Sequence, residues 1–136
     1  MNETNDKILI RIITLTEIVA LVEAQIATFP GEEGEFGVGP EHMKMIASLK
    51  PGIVKISTVN KEDHSYFVFG GVAQIKAKEV NVLTDYAVDL KKIDKSETQK
   101  KINNLKNLIS NPGVDIEIDK YQQDLLVLNT LDSFLI

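Results

Sequence analysis

The chain contains no cysteine and no tryptophan, only two histidines, and a single arginine, Arg11. Without cysteine there is no disulfide framework, no thiol nucleophile and no thiolate metal site. A lone arginine supplies little bidentate phosphate recognition. A formal charge of −5 argues against nucleic acid as the main partner, which needs clustered Lys and Arg. No run approaches the roughly 18 consecutive apolar residues of a membrane-spanning helix. The start, Met1 to Lys7, lacks the basic and apolar regions of a signal peptide. These absences favour a soluble cytoplasmic protein that meets a membrane only through a partner.

What is present falls into two regimes, with the change near Lys91-Lys92-Ile93-Asp94. Before it lie seven of the eight glycines and three of the four prolines, between short apolar runs. Ile8 to Leu15 reads as a strand. Residues 19 to 29 read as a second strand bent near Glu23. Further strand candidates are Ile53 to Val59, Ser65 to Phe69, Val72 to Ala77 and Val80 to Thr84. Such spacing predicts an antiparallel β-sandwich or barrel over residues 1–92. His42 to Leu49 reads as a connection packed on it.

After Asp94 the period becomes helical, with Ile102, Leu105 and Ile109 forming a stripe that Leu108 widens. Asp94 or Ser96 is the expected N-cap, its side-chain oxygen accepting from first-turn amides. Asn111-Pro112-Gly113 should stop that helix. A second helix from about Asp115 presents Ile118, Tyr121, Leu125, Leu128, Leu131 and Leu135 on one face. The expected fold is therefore mainly β with α: a sandwich followed by an antiparallel two-helix hairpin over 93–136.

Candidate chemistry is sparse. His42 and His64 offer no metal spacing and no nucleophile-base pair. Gly70-Gly71 lacks the rest of a nucleotide loop, and reads instead as a turn, a bulge or a close backbone approach. Glu32, Glu33 and Glu35, interleaved with Gly31, Gly34 and Gly37, suit tight turns, with Phe36 and Val38 offered from an exposed loop. On the residues alone, a solvated acidic hairpin is the favoured reading of that stretch. Sequence neighbours on one turn do not provide the opposed carboxylates of glycoside chemistry.

Three segments carry a resemblance. Pro30-Gly31-Glu32-Glu33-Gly34-Glu35-Phe36-Gly37-Val38-Gly39-Pro40-Glu41-His42 is followed without insertion by Lys50-Pro51-Gly52, then by Tyr66-Phe67-Val68-Phe69-Gly70-Gly71. This pattern resembles the ε subunit of the F-type ATP synthase, across roughly Ile8 to Lys92. The resemblance implies a rotor-stalk subunit with no catalytic site and no cofactor of its own. It implies that Glu33, Glu35 and Phe36 meet the c-ring and that His42 and Met43 meet γ. It makes Gly34, Gly37, Pro51, Gly52, Gly70 and Gly71 structural turn residues. It also implies a peripheral position on the cytoplasmic face of the cell membrane, without direct insertion. As an optional further partner the resemblance implies the β subunit, through the helices.

The chain departs from the family in four places. Glu41 replaces a common glycine, and Met43-Lys44 replaces the usual alanine and proline. Glu97 stands where ATP-binding members carry arginine, and exchanges a phosphate-binding cation for a repelling carboxylate, so ATP binding is not expected. From Val114 onward the chain has five acids against Lys120, so an acidic surface on β should repel this segment. Inhibition of hydrolysis through the last helix is therefore expected to be weak or absent. The alternative reading is an unrelated β-sandwich adaptor that dimerises through its helices.

Overall fold

The computed structural model describes residues 7–110 and 118–135. The chain divides into two compact units, 1–91 and 92–136.

The first unit is built from eight strands: β1 (Ile8–Ile13), β2 (Ile18–Ala24), β3 (Ile26–Gly31), β4 (Gly34–Val38), β5 (Met45–Ser57), β6 (Asp63–Ile75), β7 (Glu79–Leu83) and β8 (Ala87–Asp89). They run in the order β2-β1-β7-β6-β5-β3-β4, with β8 also on β6. All pairs are antiparallel except β1 with β7, which run parallel. The long strands β5 and β6 organise the sandwich. They pair from Met45↔Ile75 to Ser57↔Asp63, and each serves both layers. The second half of β6 continues into β7, and its first half pairs β8.

The bend between layers falls where Pro51 and Gly52 face Phe69 and Val68, beside Gly70 and Gly71. Proline cannot donate to the ladder, and both glycines of the pair adopt positive φ, 84° and 119°. A Cβ on Gly52 would lie 2.7 Å from the Pro30 Cβ, so glycine lets β3 cross β5 closely. There the β3–β5 register slips, from Thr28↔Lys55 to Gly31↔Leu49.

Strict alternation fills the space between the layers. Ile8, Ile10 and Ile12 of β1 and Val80 and Val82 of β7 are fully buried, while their neighbours point outward. Phe29, Val38, Leu49, Val54, Ile56, Val68, Ala73 and Ile75 complete one continuous core. Each large side chain so buried contributes about 1.5–3 kcal/mol.

Five strand assignments differ from the sequence reading, the first being β4, where an exposed loop offering Phe36 and Val38 is expected. Residues 19 to 29 form two strands, because the chain changes neighbours at Gln25: β2 pairs β1, whereas β3 pairs β5. Met45 to Leu49, expected as a connection, is the first stretch of β5. Its alternation is hidden because Met45 and Ile46 are exposed. The double glycine joins two expected strands into one, and β8 is too short for a period to register.

The second unit contains α1 (Lys95–Ser110) and α2 (Ile118–Ser133). Of the two expected caps, Asp94 serves: its Oδ1 accepts from Ser96 N at 3.3 Å. Lys95 Nζ lies 3.4 Å from Asp132 Oδ1, which sets the start of α1 beside the end of α2, as in an antiparallel hairpin. Ile102 and Thr98 are the buried residues of α1, and Val127 and Leu131 those of α2. Leu108, expected to widen the stripe, is 45% exposed. The expected Asn111-Pro112-Gly113 stop and the start near Asp115 lie outside the described residues. Among those residues, no helix is long and apolar enough to cross a membrane.

Candidate functional site

The acidic motif folds as a two-residue hairpin between β3 and β4. Gly31 pairs Gly34, and Glu32 and Glu33 form the tip. Gly34 has φ 131°, which a glycine adopts without strain. A Cβ on Gly31 would fall 2.6 Å from the Gly34 carbonyl oxygen and 2.9 Å from the Phe36 ring, so the tip closes tightly. Glu32, Glu33 and Glu35 are exposed and share one end of the sandwich.

Phe36 and Val38 do not behave as expected of residues offered from a loop. Both lie on β4; Val38 is fully buried, and Phe36 packs against the core. The Phe36 ring stacks on Phe29 with centroids 5.6 Å apart and planes at 27°. Strand parity turns them inward, which leaves the tip to its carboxylates. Gly37 sits mid-strand without positive φ, where a Cβ would make only an ordinary contact with Ala27. Its position is a strand position, not a turn.

The second segment runs from Pro40 to Met45. Glu41 occupies the left-handed region, φ 64°, and its amide donates to the Ala77 carbonyl at 2.7 Å. The residue that replaces the family's glycine thus keeps a conformation that favours glycine. For a non-glycine residue this costs about 1–2 kcal/mol. Glu41→Gly is expected to stabilise the sandwich by about 0.5–1 kcal/mol once glycine's larger unfolded-state entropy is deducted. A rise in the urea midpoint at constant slope would bear this out, and a fall would contradict it.

His42 Nδ1 lies 2.9 Å from the Met43 carbonyl oxygen. A carbonyl only accepts, so Nδ1 carries the proton there. The ring is tied to its neighbour's backbone and half-buried, while Met43 is 80% exposed.

A third group has no single-sequence signal, because its members lie about 70 residues apart. On the outward face of β1 and β7, Arg11 Nη1 donates to Asn81 Oδ1 at 3.1 Å and lies 3.4 Å from Glu79 Oε2. Asn81 Nδ2 donates to Glu79 Oε2 at 3.1 Å and approaches Gln74 Oε1 at 3.5 Å. The Asn81 bond holds the Glu79 carboxyl below its ordinary pKa, against partial desolvation and with help from Arg11 and Lys76. The result is a polar ladder across three strands. Only the parallel register Arg11↔Asn81 brings it together.

These are thus surface features of a β-sandwich: an acidic hairpin at one end, an exposed methionine segment and a polar ladder on one face. Residues 7–90 match the family described as the ATP synthase Delta/Epsilon chain, beta-sandwich domain. The "ATP synthase epsilon chain" of Rickettsia peacockii is 37% identical over 108 residues, 78% of this chain and 96% of that one. That of Thioalkalivibrio sulfidiphilus is 33% identical over 116 residues, 85% of this chain and 82% of its own. A chain of the Euglena gracilis mitochondrial ATP synthase, resolved as OSCP/F1/c-ring, superposes with TM-score 0.65. It is 22% identical, over 93% of this chain and 80% of that chain. The chain belongs to the ATP synthase delta/epsilon family, and with that the reading as an unrelated adaptor falls away.

Proposed function

We propose that this rotor-stalk subunit binds γ and rests on the c-ring of an F-type ATP synthase, coupling ion translocation to ATP synthesis without a catalytic site of its own. The observation that carries the reading is the two-sided surface of the sandwich. One end offers exposed Glu32, Glu33 and Glu35, suited to polar loops of a ring. The segment at His42 and Met43 offers an exposed apolar side chain beside a fixed imidazole, suited to a protein partner. Phe36 supports the acidic contact from behind, through its stack on Phe29.

A stiff body suits this work, because a soft adaptor would lose torque as elastic strain. The continuous β5–β6 pairing through both layers supplies that stiffness. The complex would sit peripherally on the cytoplasmic face of the cell membrane. The β subunit is the third partner: α1 keeps Lys100, Lys101 and Lys106 exposed for it, while α2 carries Asp119, Asp124 and Asp132. Deleting residues from Val114 onward should therefore leave ATP hydrolysis unchanged, and a several-fold rise would refute weak inhibition.

The direct test is size-exclusion chromatography of this chain mixed with γ from the same organism. One-to-one co-elution is expected. Separate elution, with this chain alone as a dimer, would refute the stalk reading.

A further inference from the structure

Oxidisable sulfur is scarce in this chain, and what there is lies together. The sequence has no cysteine and three methionines, two of which, Met43 and Met45, flank a single lysine. Met43 is 80% exposed and Met45 41% exposed, beside Ile46 at 72%. A thioether so placed is open to small oxidants, and no thiol in the chain competes for them. The backbone there is fixed from several sides. The Met43 carbonyl accepts from His42 Nδ1, the Glu41 amide donates to the Ala77 carbonyl, and Met45 pairs Ile75. Met45 also borders two recesses of opposite charge. One, of about 590 Å³, is lined by Glu32, Glu33, Glu35 and Phe36; the other, of about 440 Å³, by Lys44, Gln74 and Lys76. Lys44 makes no ion pair among the described residues. Gln74 receives Asn81 through its Oε1, which leaves its amide N–H groups for another acceptor.

We propose that Met43 and Met45 form an oxidation site, converted to methionine sulfoxides by hydrogen peroxide or another hydroperoxide, and that this modification keeps the free chain from docking on γ. The sulfur lone pair attacks the hydroxyl-bearing oxygen of the peroxide, and the S–O bond forms as the O–O bond breaks. The departing hydroxide or alkoxide then takes the proton from the sulfur-bound oxygen and leaves as water or an alcohol. Sulfur loses two electrons and the peroxide gains them. Each product puts a polar acceptor where an apolar side chain stood. On Met45 that oxygen has donors at hand in Lys44, Lys76 and the Gln74 amide, so the basic recess holds the oxidised form. On Met43, whose carbonyl is tied to His42, it stays at the surface, and an apolar partner group would have to strip it of water. The inference rests on the stalk reading, which sets Met43 against γ, and adds a chemical control to it. Its target is the free chain, before γ covers the segment.

The test treats the full chain with hydrogen peroxide, quenches the oxidant and then adds full-length γ. Peptide mass spectrometry is expected to show one added oxygen on each of Met43 and Met45, at rates within a few-fold of free methionine in the same tube. The oxidised chain should bind γ about tenfold more weakly. A methionine sulfoxide reductase with a dithiol reductant should restore the affinity, as the oxygen leaves in water and the dithiol becomes a disulfide. The double variant Met43→Leu/Met45→Leu conserves volume without sulfur, so it should keep its affinity through the same treatment. Thermal melts check that it folds, and Met43→Leu alone, at the more exposed position, carries the test if it does not. In the preformed complex Met43 should oxidise at least tenfold more slowly than in the free chain. Undiminished γ binding by the doubly oxidised chain, or an equal loss in the leucine variant, would overturn the proposal and leave the stalk reading standing. Resistance of Met43 to peroxide in the free chain would overturn it as well. A wild-type chain that ignores γ before oxidation would sink both.

Discussion

Gly71→Ala is expected to destabilise the sandwich by roughly 3 kcal/mol or more, one of the two largest effects available in this chain. Two costs add. A φ of 119° lies outside the range that L residues tolerate, at about 1–3 kcal/mol. A Cβ there would also collide with the Leu83 carbonyl group, to which β7 brings its backbone. Relief requires opening the Val72↔Leu83 end of the β6–β7 ladder. For a domain of this size, 3 kcal/mol corresponds to a fall of about 12 °C or more in Tm. Gly37→Ala is the comparison, because its Cβ meets nothing closer than 3.8 Å and should change stability by less than about 1 kcal/mol. Equal melting of the two variants would show that close backbone approach is not what requires glycine at 71.

Phe29→Ala should cost about 3–5 kcal/mol, the range for emptying a large aromatic site in a core that collapses only partly. Phe29 is fully buried and stacked with Phe36, a contact worth about 0.5–1.5 kcal/mol beyond area. Phe36 is half-buried, so Phe36→Ala should cost less. The double variant should fall short of the sum, since each single change already removes the stack. Urea unfolding of all three variants reads the cycle, and strict additivity would mean that the rings do not cooperate. The pair lies directly behind the acidic tip, so Phe29→Ala should also weaken any c-ring contact made by Glu33 and Glu35.

Much of this architecture is legible in the chain. Ile8 to Leu15 is legible as a strand from its β-branched, apolar composition, although apolar Leu9 and Ile13 hide the alternating burial that β1 adopts. Asp94 announces α1 through the short oxygen side chain that a cap needs. The acidic motif is legible as a turn, but Phe36 is not legible as a core residue. Gly34 and Gly37 break the alternation that would give its parity, and the stack on Phe29 forms only when β3 and β4 pair.

The sequence by itself determined the two regimes, the β-sandwich and helix periods, the family and the exclusion of thiol chemistry. These depend on local spacing and residue type, which survive in one dimension. Only the tertiary structure decided that the chain changes layer at Gln25, that β1 lies parallel to β7, and that Gly71 sits against the Leu83 backbone. It alone joined Arg11 to Asn81. Those pairings link residues up to about 70 positions apart, and no local propensity encodes which distant strand will lie beside another.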